Sequence, residues 1–108
     1  LHQLATALRM TALVEVHDER ELERAMTAGS SVIGVNNRNL DTFVVDLDTT
    51  IRLAALVDAQ TTLVAESGIH SSDDVERVRR AGARAILVGE SIVTSDNPTA
   101  KIRELMGR

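Results

Sequence analysis

Short apolar runs alternate with amphipathic helical stretches along the whole chain, and few folds accommodate that order. The runs are Ala12–Val16, Val32–Val35, Leu63–Glu66 and Ala85–Val88. Each is nearly continuous in Val, Ile, Leu and Ala, as expected of parallel strands covered on both faces. Between them the apolar residues fall at helical spacing, so the chain reads as four βα units around a parallel sheet. Two architectures fit, half of a (βα)8 barrel or a small doubly wound sheet.

The first strand is preceded by a helical pattern over Leu1–Met10, with Leu1, Leu4, Ala5 and Leu8 in one stripe. A helix under way at Leu1, where an initiator Met would stand, suggests part of a longer chain. Asp18 followed by Glu21 marks a helix start, because both carboxylates can accept unpaired backbone N–H groups. Leu22, Ala25 and Met26 form the expected buried face, and Gly29 suits the left-handed stop. A longer connection, Asn36 to Asp46, leads to a helix expected over Asp48–Val57 with Ile51, Ala54 and Ala55 inward. The third helix is expected to start near Ser71–Asp74 and run through Val75 and Val78 to Gly82. The last begins at Asn97–Pro98, where proline suits a first helical position, with Ile102, Leu105 and Met106 as its buried stripe.

All four strands end in polar groups: Glu15 and His17; Asn36, Asn37 and Arg38; Glu66, Ser67 and Gly68; Gly89, Glu90 and Ser91. That is more than turns require, and βα barrels build their sites at this rim. Period-two alternation puts Leu13, Glu15, Val32, Gly34, Asn36, Val64, Glu66, Ala85, Leu87 and Gly89 on the inner face. Val14, Val16, Ile33, Val35, Leu63, Ala65, Ile86 and Val88 then face the helices, a wholly apolar set.

Each polar residue also has a purely structural reading. Glu15 and Glu66 fit an edge charge or a site carboxylate. His17 fits a turn or cap, and Asn36 and Asn37 fit turn conformations. Arg38 fits a solvated loop or an anion contact. Ser67-Gly68 and Gly89-Glu90-Ser91 fit ordinary turns or close backbone approach to a phosphate. Asp73, Asp74 and Glu76 are a helix-dipole arrangement, and Glu19, Glu21 and Glu23 a solvated face.

Composition removes several function classes. Phe43 is the only aromatic residue, so no stacking platform for single-stranded nucleic acid exists. The net charge is −4 with dispersed cations, which disfavours phosphate-backbone binding. There is no cysteine, and His2, His17 and His70 lack metal-ligand spacing. No apolar run approaches the ~20 residues that span a bilayer and no signal-peptide pattern opens the chain, so a soluble cytoplasmic protein is expected.

Four segments together resemble one family. Leu13-Val14-Glu15-Val16-His17, Ile33-Gly34-Val35-Asn36-Asn37-Arg38-Asn39-Leu40, Glu66-Ser67-Gly68-Ile69 and Val88-Gly89-Glu90-Ser91 are similar to the fifth to eighth strands of indole-3-glycerol phosphate synthases. Thr42–Thr50 (TFVVDLDTT) resembles that family's connection after strand six. Glu-Ser-Gly and Val-Gly-Glu-Ser recur in many phosphate-binding barrels, whereas Asn-Asn-Arg-Asn-Leu beside Val-Glu-Val-His is far more specific. The resemblance implies that residues 1–108 form the C-terminal half of a TIM barrel. It implies ring closure of 1-(2-carboxyphenylamino)-1-deoxyribulose 5-phosphate with loss of CO2 and water, in tryptophan biosynthesis, without cofactor or metal.

The resemblance further implies roles for particular residues. Glu15 assists proton transfer, Asn36 hydrogen-bonds the substrate and Glu66 lines the site. Arg38, Ser67, Gly68, Gly89 and Glu90 belong to phosphate binding, and Leu87 contacts the aromatic part of the substrate. The family's acid lysines, on strands one and three, have no counterpart here. Lys101 is the only lysine and is expected far from the rim. The expected partners are therefore a small phosphorylated substrate and either an N-terminal half-barrel or a second copy docked on open strand edges. Other readings are another phosphate-binding barrel enzyme, such as a phosphoribosyl isomerase, or a non-catalytic module that assembles with a partner chain.

Overall fold

A computed structural model describes residues 12–107. The helix expected over Leu1–Met10 lies outside the described residues. The four strands are β1 (Leu13–Val16), β2 (Val32–Asn36), β3 (Thr62–Glu66) and β4 (Ala85–Leu87). The helices are α1 (Glu19–Thr27), α2 (Asp48–Ala54), α3 (Ser72–Ala81), α4 (Glu90–Val93) and α5 (Pro98–Leu105).

The strands pair in parallel in the order β1-β2-β3-β4, with Leu13 opposite Val32, Val32 opposite Thr62 and Val64 opposite Ala85. A doubly wound sheet reverses its strand order at a switch point. Unbroken chain order is instead that of a barrel wall, and the fold is α/β, half of a (βα)8 barrel.

The alternation expected from the sequence decides which face is dry. Val16, Ile33, Val35 and Leu63 are buried against Leu22 and Ala25 of α1 and Leu53 of α2. Ala65, Ile69, Val78, Ala83, Leu47 and Leu105 form a second core, with Ile86 and Val88 packed against it. On the opposite face Leu13 at one edge and Leu87 at the other are 46% and 55% exposed, while Val64 on the central β3 is buried.

Local chemistry sets the helix ends. The Asp18 side chain accepts from the Glu21 N–H at 2.8 Å, and Ser71 and Asn97 cap α3 and α5 through Asp74 and Ala100. Glu21 reaches past the cap to the His17 N–H at 2.8 Å, so the expected reciprocal capping is displaced by one residue.

Three helical expectations are corrected. Helix α2 stops at Ala54 and buries Thr50 and Leu53; of the expected face Ala54 packs against the core, while Ile51 is only partly buried and Ala55 is exposed. The face rotates because buried Asn37 accepts hydrogen bonds from Thr50 and draws that residue inward. In α5 only Leu105 is buried, and Ile102 and Met106 are 43% and 59% exposed, since α5 rests on α4 and α3 through one edge of its stripe. The short α4 was not expected as a helix, because Gly89-Glu90-Ser91 reads as a turn.

Candidate active site

The C-terminal strand ends converge on a cavity of about 320 Å³. Glu15, Asn36, Arg38, Glu66, Ser67, Gly68, Leu87, Gly89 and Glu90 all line it. Those are the nine residues for which the family resemblance implies a role, brought to one rim by the parallel register.

Glu66 stands opposite Asn36 and Leu87 on the adjoining strands and is 7% exposed. Burial first, and then hydrogen bonding and charge repulsion from the adjacent Glu15, together push its carboxyl up to about 7 against the opposing effect of His17. The two carboxyls therefore sit in contrasting surroundings, since the Glu15 side chain on the edge strand is 46% exposed. Gly34 makes this arrangement possible: a Cβ there would overlap the Glu66 carboxylate. A lone glycine inside a strand signals such close approach, and this signal was present in the sequence.

Asn36 is held through its amide oxygen, which accepts from the Arg38 N–H at 3.0 Å and the Ser67 hydroxyl at 2.9 Å. Its Nδ2 remains as a donor for a ligand. Ser67 and Gly68 take φ of 68° and 78°, a left-handed pair that turns the chain sharply after β3. Gly68 is doubly required, because a side chain there would also strike Val45. Arg38 reaches across the rim to Glu90 at 3.2 Å and donates to the Phe43 carbonyl at 3.4 Å. The Glu90 carboxylate thus holds Arg38 across the rim.

Asn37, adjacent to all this, does not line the cavity. It is buried, accepts from the Thr50 N–H at 3.1 Å and hydroxyl at 2.7 Å, and donates to the Ser67 carbonyl at 3.1 Å. Of the site and the structural readings, Asn37 takes the structural one. His70, Ile69 and Val88 also line the cavity and were not singled out as site residues, and Ser91, named at the end of the fourth strand, lines it too. Ser91 is buried and lies 2.8 Å from His70 Nδ1. Lys101 was expected far from the rim, but its Nζ donates to the carbonyl of His70; it braces the cavity wall from behind without lining it. Among the described residues, no group of three or more His, Asp or Glu side chains is arranged to hold a metal ion.

Parallel strands in chain order, helices on one face and a polar cavity at the C-terminal strand ends define part of a (βα)8-barrel protein. The chain belongs to the indole-3-glycerol phosphate synthase family, whose family model matches residues 1–105. It is 52% identical over 107 residues to the indole-3-glycerol phosphate synthase of Polaromonas naphthalenivorans, covering 99% of this chain and 41% of that relative. Similar enzymes from a Roseiflexus and a Nocardioides species are 53% and 51% identical, with 96% and 99% of this chain covered and 39% and 41% of theirs. The chain thus spans about two-fifths of the length of these relatives. Among solved structures, the Amycolatopsis orientalis BexX/CysO complex superposes at TM-score 0.76 with 19% identity, over 97% of this chain and 43% of that one. A mandelate oxidase mutant with a monooxide FMN adduct gives 0.65 at 19% identity, over 99% and 41%. At that identity they share the fold alone.

Proposed function

We propose that residues 1–108 supply the C-terminal half of an indole-3-glycerol phosphate synthase barrel, a carbon–carbon lyase of tryptophan biosynthesis. The reaction closes the indole ring of 1-(2-carboxyphenylamino)-1-deoxyribulose 5-phosphate with loss of CO2 and water. The observation that carries this reading is the paired carboxyls Glu15 and Glu66, one half-exposed and one buried with its pKa near 7. Such a pair can hold one proton near neutrality, which a ring closure and dehydration require beside the reacting carbonyl.

The remaining residues fit positioning roles. Asn36 Nδ2 donates to the substrate, and Leu87 offers the apolar inner wall to its aromatic ring. Arg38 and the backbone N–H groups of Ser67, Gly68, Gly89 and Glu90 face the phosphate end, where barrels of this kind commonly bind such groups. No lysine lines the cavity. The general acid is therefore assigned to the other part of the barrel.

The test is turnover of the carboxyphenylamino substrate by this chain alone and by the chain joined to the remaining strands of a family relative. With no Trp or Tyr in this chain, its own contribution to the product's indole absorbance is small. The joined protein is expected to be active, and the chain alone to be slower by at least the ~10²–10⁴-fold of a lost acid. No turnover by the joined protein, or turnover of aminoaldose phosphates in place of the aryl substrate, would overturn the assignment. Steady turnover by the chain alone would overturn the division of labour.

A further inference from the structure

We propose that His17 relays protons between the Glu15–Glu66 pair in the cavity and Glu21 at the solvent side, an inference that rests on the functional reading above. His17 leaves the end of β1 between two depressions of the surface. Glu15 and Glu66 line the 320 Å³ cavity, while His17 and Glu21 line an outer groove of about 910 Å³, bordered also by Arg20, Arg24 and Arg38.

One carboxylate oxygen grips the histidine twice. Glu21 Oε1 accepts from the His17 backbone N–H at 2.8 Å and lies 3.1 Å from Nδ1. An ionised carboxylate only accepts, so Nδ1 carries the proton and the neutral ring presents Nε2 as a lone pair. That atom is buried and has no hydrogen-bond partner among the described residues. It faces Glu15 Oε2 at 3.7 Å, beyond a hydrogen bond by less than a bond length. Leaving a buried acceptor unpaired is costly, and a proton arriving on Glu15 is the partner that would satisfy it. The groups then run Glu66, Glu15, His17 and Glu21, from the cavity on the inner face of the sheet to the outer groove beside α1.

A ring in this tautomer takes a proton at Nε2 and releases one from Nδ1, so the relay runs outward, and the reaction supplies the proton. One C–C bond forms to the carbonyl carbon and the bond to the carboxylate breaks, releasing CO2. The carbonyl oxygen takes up two protons and leaves as water, and the methylene beside the amine returns one. The proton that Glu15 takes from the methylene is the one His17 passes out to Glu21, while the two protons on the oxygen come from the general acid in the other part of the barrel.

Two measurements test the relay. With ¹⁵N-histidine in this chain, three imidazoles report, and His17 is expected as the Nδ1–H tautomer, becoming a mixture in Glu21→Gln. In the joined enzyme, His17→Gln is expected to lower kcat about tenfold or more with KM unchanged, below or at the edge of a lost direct acid or base. Added imidazole should restore the rate, which it does not do for a merely structural loss. An Nε2–H tautomer in the wild type, a Glu21→Gln spectrum that does not change, or a His17→Gln defect that imidazole leaves untouched would overturn the relay. If His17→Gln does not fold, Glu21→Gln keeps the imidazole and decides by tautomer and rate. Absence of turnover by the wild-type joined enzyme would overturn the functional reading, and the relay with it, whichever tautomer His17 holds.

Discussion

Glu66 has surroundings that oppose its ionisation, and two neighbours explain why. The central strand β3 removes it from water, and Glu15 on the edge strand competes for the same proton. Period two was enough to place both carboxyls on one face, because side chains alternate whatever surrounds them. Which of them would be buried depended on strand order, a tertiary property. The raised pKa carries a sign for stability. In the unfolded chain Glu66 ionises near 4.5, while the folded protein retains the proton to about 7. The contribution of Glu66 is full below the lower value and is lost as pH rises through the higher. Urea unfolding of wild type and Glu66→Gln should show equal pH trends below 4.5, then a relative gain for the variant up to about 7 and a constant difference above. A difference that is flat across that window would show that Glu66 ionises normally.

At the scale of elements, the strands and caps were legible and the helix faces less so. Asp18, Ser71 and Asn97 cap where the sequence places them, because a cap is satisfied by residues three positions away. The face of α2 was misjudged because it is set by Asn37, thirteen residues before Thr50. Asn37 ties the end of β2 to α2 and to the turn after β3, so it holds two sides of the rim together. Asn37→Ala would leave the buried Thr50 hydroxyl and N–H without their acceptor. The expected cost is about 2–6 kcal/mol, from ~1–3 kcal/mol for each of the two unsatisfied buried groups. It should appear as a lower urea midpoint at unchanged m-value, and a midpoint within error of wild type would remove Asn37 from this role.

At the scale of the molecule, the open barrel wall is the dominant fact. The edge strands Leu13–Val16 and Ala85–Leu87 each pair on one side only within the four-stranded sheet, and Leu13 and Leu87 are exposed on the inner face. An unpaired edge is a template for another strand. At ~25 cal/mol per Å², covering a few hundred Å² of this wall is worth several kcal/mol, comparable with a domain's whole stability. The isolated chain is expected to self-associate at micromolar concentration, and the remaining strands of the barrel should compete with that association. Sedimentation equilibrium checks this. A compact monomer at hundreds of micromolar with protected β1 and β4 amides would mean that the edges are satisfied in some other way.

The sequence by itself determined the four βα units, the dry and wet faces of the sheet, the principal caps and a polar rim with two inward carboxylates. All of these follow from local rules: the two- and 3.6-residue periods, the reach of a capping side chain and the position of each strand's end. Tertiary structure alone decided that the strands run in chain order and that Glu66 is buried while Glu15 is not. It alone turned Asn37 into a tie and made Arg38 and Glu90 partners 52 residues apart. These depend on neighbours distant in the chain, whose positions exist only once the sheet has formed and water has been excluded from one of its faces.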